Sequence, residues 1–137
     1  MNAVNRAFAY LTRAGRCYWL ACLVILSAGC GGVDGPARYR VSGEVRYEGK
    51  PVPAGEIVFR PDTNKGNDGP GSVARIRDGR YETDSGRGVV GGAYVVEIVG
   101  FDGVPSAESL DGSVLFSPQS KEVDFPLSAV TQDFDLP

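Results

Sequence analysis

The sequence predicts an all-β fold, a single antiparallel β-sandwich of about seven short strands over residues 38–137, and three observations lead there. Nineteen glycines and nine prolines in 137 residues cut the chain into short pieces, which suits strands joined by turns better than helices. No window carries a convincing helical apolar period. Residues 39–47 alternate instead, with Tyr39, Val41, Val45 and Tyr47 on one face and Arg40, Ser42, Glu44 and Arg46 on the other, the pattern of a half-buried strand.

The elements follow in chain order from the amino terminus, which reads as an export signal over residues 1–29. Arg6, Arg13 and Arg16 are the only charged side chains before Asp34, so the first segment is purely basic and is favoured to stay on the cytoplasmic side while the rest crosses. Residues 17–26 form an apolar run of 10, about half of the roughly 20 needed to span a bilayer as a helix. Small residues come next, as a signal cleavage site requires.

Leu26, Ser27, Ala28 and Gly29 ahead of Cys30 resemble the bacterial lipobox, with Leu26 one step further from the cysteine than the usual leucine. The resemblance implies a diacylglyceryl group on the Cys30 thiol, cleavage just before it and acylation, such as palmitate, on the new amino terminus. Several acyl chains hold a protein stably to a membrane where one is marginal. Ordinary signal-peptide cleavage at the same small residues, leaving Cys30 as a free thiol, is the alternative. Residues 30–37 then form the lipidated cysteine and a flexible Gly-rich tether. Gly31 stands where many such lipoproteins carry the aspartate that retains them in the inner membrane, so the outer membrane or periplasmic face is the expected location.

Cleavage before Cys30 leaves 108 residues, enough for one domain with a self-sufficient core. Cys17 and Cys22 leave with the signal, so no internal disulfide remains. The mature chain keeps 11 basic against 17 acidic side chains, a net charge of −6. That balance disfavours nucleic acid, which needs clustered lysine and arginine; Arg75, Arg77 and Arg80 are interleaved with Asp78, Glu82 and Asp84.

Within the domain, residues 48–55 supply glycine and proline for a reversal, after which Ile57 and Phe59 face inward. Residues 61–71 read as a polar loop, and residues 72–77 as a strand with Ala74 and Ile76 on one side. Asp78-Gly79 predicts a type I′ hairpin returning through residues 80–83. Residues 91–99 are apolar on both faces apart from Glu97, as in a central strand. Residues 101–118 have no period. Residues 121–125 and 130–136 alternate again, with Phe134 and Leu136 inward.

The segments VSGEVRYEGKPVPAGEIVF (41–59), DGRY (78–81), GAYVVEI (92–98) and FDL (134–136) together resemble the transthyretin-like, carboxypeptidase regulatory-like domain of secreted bacterial lipoproteins. The likeness covers about residues 38–137 and implies an accessory or binding module, on a fold that hosts many unrelated functions.

Catalysis is not expected. The chain has no histidine, the commonest general base, and no serine beside Lys50, Lys65 or Lys121 sits in a glycine-flanked elbow. Asp133 and Asp135 read as a solvated strand edge. No cofactor and no metal are expected: cysteine and histidine ligands for zinc are lacking, and residues 62–68, the best oxygen-rich loop for calcium, place Gly66 at the third ligand position and Val73 at the twelfth. An Asx-rich turn is the expectation there. A self-made isopeptide crosslink is not expected either, since Asn64 and Asn67 lie in this loop. Most aromatics fall at inward positions; Phe101 and Phe116, flanking the aperiodic segment, are the two left for recognition. The expected role is a non-catalytic structural or interaction module anchored in the cell envelope, with an envelope protein or glycan as partner. The alternative is a carbohydrate- or peptide-binding module using the 101–120 loop.

Overall fold

The structure, a computed structural model, describes residues 35–137; the segments expected to be an export signal and a lipobox, and Cys30, lie outside them. The strands are β1 (Val41–Tyr47), β2 (Lys50–Pro51), β3 (Ala54–Pro61), β4 (Ser72–Arg77), β5 (Arg80–Glu82), β6 (Gly92–Phe101), β7 (Gln119–Phe125), β8 (Val130–Thr131) and β9 (Phe134–Leu136), with one 3-10 turn at Thr63–Lys65. There is no α-helix among the described residues.

The strands form one hydrogen-bonded path, β2-β1-β5-β4-β3-β6-β7, with β8 and β9 pairing to β1, and the sheet curls into a half-barrel. All pairs are antiparallel except β8 and β9, which run parallel to β1. The count exceeds the expected seven for two reasons. A two-residue β2 turns back on β1, and the 130–136 segment is interrupted at Gln132 and Asp133 between β8 and β9.

Turn chemistry sets the register as the sequence predicts. Asp78 (φ 50°) and Gly79 (φ 76°) both lie in the left-handed region, the requirement of a type I′ turn, and Arg77 pairs with Arg80 across it. The same pattern recurs at Glu48 and Gly49 between β1 and β2. A side chain on Gly79 would also sit 2.5 Å from Pro51 Cβ, so this glycine serves both conformation and space.

The concave face is the core. Val41, Val45, Ile57, Phe59, Ile76, Val96 and Ile98 are fully buried there, one or more from each of β1, β3, β4 and β6. Five rings cross this face in an unbroken chain: Tyr94 to Phe125 (5.6 Å), Phe125 to Phe59 (5.8 Å), Phe59 to Tyr81 (6.1 Å) and Tyr81 to Phe134 (6.0 Å). Edge-to-face and tilted contacts at such distances add about 0.5–1.5 kcal/mol per pair beyond burial. The chain of rings links β7, at one end of the sheet, to β9 beside β1, and so ties the two ends of the curl.

The other face of β6 is only half-covered, with Ala93, Val95, Glu97 and Val99 all partly exposed; the central position is as expected, the cover is one-sided. At the β7 edge, Lys121 pairs with Val96 and shares its inward face, a charge that opposes pairing with another strand.

The carboxy-terminal segment is fixed by polar contacts to β5 and β1. Tyr81 donates its hydroxyl to Gln132 O at 2.6 Å, and Glu44 N donates to Asp133 Oδ1 at 2.8 Å. Burial pushes the Tyr81 phenol well above its ordinary pKa, and the Asp133 charge adds to the shift. A phenol whose folded pKa is raised contributes stability that is complete below the unfolded value, about 10, and is lost as pH rises toward the folded one. Denaturant midpoints measured from pH 8 to 11.5 should therefore fall above about pH 10, and Tyr81→Phe should lower stability at neutral pH by about 1 kcal/mol while flattening the alkaline decline. An equally steep decline in Tyr81→Phe would contradict this assignment.

Candidate functional site

Phe101 and Phe116 are the predicted recognition residues inside the described region, and they separate. Phe116 is a core residue, a correction to its expected free ring: it is 7% exposed and stacks on Tyr47 at 4.7 Å. The reason is Gly100, where a Cβ would come within 2.5 Å of the Phe116 ring; the missing side chain leaves a slot that the ring fills. Phe101 remains partly exposed at the end of β6, and its backbone bridges to Val114.

Residues 102–115 form a braced loop despite lacking any period. Asp102 Oδ1 accepts from Val104 N at 2.9 Å and Ser113 N at 3.0 Å, a short-range Asx turn that closes the loop base. Asp102 N donates to Ser113 O, Gly103 N to Asp111 O and Leu115 N to Gly100 O. Ser106 Oγ accepts from Glu108 N and Ser109 N at the tip. An ion pair from Arg77 to Asp111 at 2.6 Å joins the loop to β4.

This bracing holds apolar side chains in water. Leu110 is 86% exposed, and Val104, Val114 and Leu115 are exposed with it on the same loop. Aromatic residues, the sequence signal for a stacking surface, do not mark these four positions. The available signal was aliphatic residues recurring without alternation among Gly, Ser and Asp, where a loop has no core to face. Exposed apolar residues gathered in one place mark contact surfaces more often than scattered ones do.

The loop lies at one end of the domain and the chain enters at the other. Tyr39 exchanges backbone hydrogen bonds with Val89 at the entry, while Tyr47, at the far end of β1, meets Phe116. The seven residues of β1 separate these ends by about 20 Å at the usual rise per strand residue.

Residues 62–68 form the expected Asx turn. Asp62 caps the 3-10 turn by accepting from Asn64 N at 3.1 Å, and the Asn67 side chain donates to Gly91 O and Ala93 O while accepting from Gly69 N. These oxygens and amides hold the β3–β4 loop against β6. Lys65 bonds Glu122 of β7 at 2.6 Å, a hydrogen bond that raises the lysine pKa and lowers that of the carboxyl. Asp133 and Asp135 are solvent-exposed, as predicted, and Asp133 accepts from the β1 backbone. Among the described residues no group of three or more acidic or cysteine side chains has metal-binding geometry.

No family model, curated protein or solved structure matches this chain.

Proposed function

We propose that this chain is a lipid-anchored cell-envelope protein whose single transthyretin-like β-sandwich domain is a non-catalytic interaction module, held to the membrane through Cys30. The observation that carries the module reading is the braced, aliphatic 102–115 loop at the end of β1 opposite the chain entry. The chain joins the domain at the Tyr39 end, so Leu110 and its neighbours lie at the end of the domain remote from that point of attachment. Aliphatic side chains favour an apolar protein or peptide surface over a sugar, which stacks on aromatic faces; of the two aromatics flanking the loop, Phe116 is buried.

The test uses a photo-crosslinking amino acid placed at Leu110, and at exposed Ser128 near the chain entry as a control. A discrete adduct from position 110 in intact cells, absent from position 128 and lost in Val104→Asp, is the expected result. Val104 is exposed, so Val104→Asp should change the unfolding free energy by no more than about 0.5 kcal/mol. No adduct at position 110, or one unaffected by Val104→Asp, would remove the loop from the account. Saturable binding of a soluble glycan to the purified protein, lost on trimming residues 102–115, would favour the carbohydrate alternative.

A further inference from the structure

On the convex face, beside the chain entry, a depression of about 640 Å³ is lined by four arginines, Arg38, Arg60, Arg75 and Arg87. One of the four, Arg38, has its guanidinium held by the backbone around it. Arg38 donates Nε to Gly88 O at 2.8 Å and Nη2 to Gly71 O at 2.5 Å, so its guanidinium is fixed at the rim. The segment bearing Arg87 is pinned where Ser72 donates its hydroxyl to Arg87 O.

The charges do not cancel within the depression. Arg60 pairs with Glu97 at 2.7 Å, and Glu82, also at the rim, pairs with Arg40 at 3.0 Å. Arg75 is the register partner of Glu56. Yet among the described residues neither Arg75 nor Arg87 comes within ion-pair distance of a carboxylate. Setting the paired groups aside, Arg38, Arg75 and Arg87 face Glu56 and Asp84, which leaves one positive charge in excess. The floor between them is Val58 and half-exposed Val73.

We propose that this depression binds a phosphodiester monoanion, with Arg75 and Arg87 as the principal contacts and Arg38 as a fixed donor at the rim. One excess cation matches one phosphodiester charge, guanidinium groups present paired donors to phosphate oxygens, and the valine floor accepts the carbon groups that a diester carries and inorganic phosphate lacks. The volume falls within the range of ordinary small-ligand sites. Two sources supply this chemistry: a lipid headgroup or a free glycerophosphodiester. The headgroup source rests on the membrane-tethered reading, since the depression adjoins Arg38, the eighth residue after Cys30; the site itself does not.

The test uses residues 30–137 carrying Cys30→Ser, so that neither an acyl group nor the basic, apolar segment 1–29 can produce membrane association by itself. Glycerophosphoglycerol is titrated at low ionic strength while the arginine Nε–Hε signals are followed by NMR, and sedimentation with phosphatidylglycerol–phosphatidylcholine vesicles is measured in parallel. Saturable shifts of Arg38, Arg75 and Arg87 are expected, with binding weakened about tenfold in Arg75→Gln/Arg87→Gln and unchanged in Arg46→Gln/Arg80→Gln, which removes equal charge from the same face outside the depression. Vesicle binding with the same variant pattern assigns the headgroup source. Binding of the soluble diester without vesicle binding assigns the free one. No saturable shift, or equal losses in the two double variants, overturns the site, and because no acyl anchor is present neither result bears on lipid attachment at Cys30.

Discussion

Gly43→Ala is expected to lose about 3 kcal/mol or more of stability, at the upper end of what overpacking costs. A Cβ at this position would lie 2.0 Å from Gln132 O and 2.6 Å from its carbonyl carbon, and both are backbone atoms that no rotamer change can move. The carboxy-terminal strand would have to leave β1. It would take with it the Tyr81 hydroxyl bond to Gln132 O, the Asp133 bond to Glu44 N and the parallel pairs of β8 and β9. Urea unfolding should show the lowered midpoint, and hydrogen exchange should show protection lost first at residues 130–136. A variant as stable as the parent would mean that Gln132 does not cross β1 this closely.

Phe59→Ala should cost about 4 kcal/mol, within the range for deleting a fully buried aromatic ring. Phe59 is fully buried and is the middle member of the five-ring chain, touching both Phe125 and Tyr81. Its removal breaks the link between the β7 end of the sheet and the β9 end, in addition to opening a cavity. Against a total stability of about 5–15 kcal/mol for a domain, the variant should be partly unfolded near physiological temperature. Differential scanning calorimetry tests this directly: a loss below about 1.5 kcal/mol, the cost of a volume-conserving swap, would show that the ring is not central to the core.

Both variants bear on what the sequence could and could not reveal. Strand positions and facing were legible where alternation is strict: Val41, Val45, Ile57, Phe59, Ala74, Ile76, Phe134 and Leu136 are all buried as the period requires. The Asp78-Gly79 hairpin was legible because only a residue tolerant of positive φ can occupy both central positions. Gly43 gave no such signal. It sits inside an alternating strand with an ordinary backbone conformation, and its requirement comes from Gln132, 89 residues later, so nothing local could show it. The same holds for Gly100 and the ring of Phe116.

The curl of the sheet was equally hidden. Period-two patterning states which face of a strand is apolar but not which strand lies beside it, so a division into two sheets and one curled path with β8 and β9 returning to β1 read alike. The 102–115 loop was unreadable for a different reason. Its shape comes from Asp102 and Ser106 accepting from nearby backbone amides, contacts that carry no periodicity. The arginines of the convex depression appeared in the sequence as a mixed, solvated surface. Their excess charge emerges only once the fold gathers Arg38, Arg60, Arg75 and Arg87 around three carboxylates, Glu56, Glu82 and Asp84.

The central functional proposal is the membrane tether at Cys30, and the intact mass of the protein recovered from the membrane fraction, beside a Cys30→Ser variant, tests it most directly. The account predicts a chain that begins at Cys30 with added acyl mass, and a variant that carries no acyl mass and is no longer retained by the membrane. An unmodified chain in the soluble fraction, with a free thiol at Cys30, would contradict it.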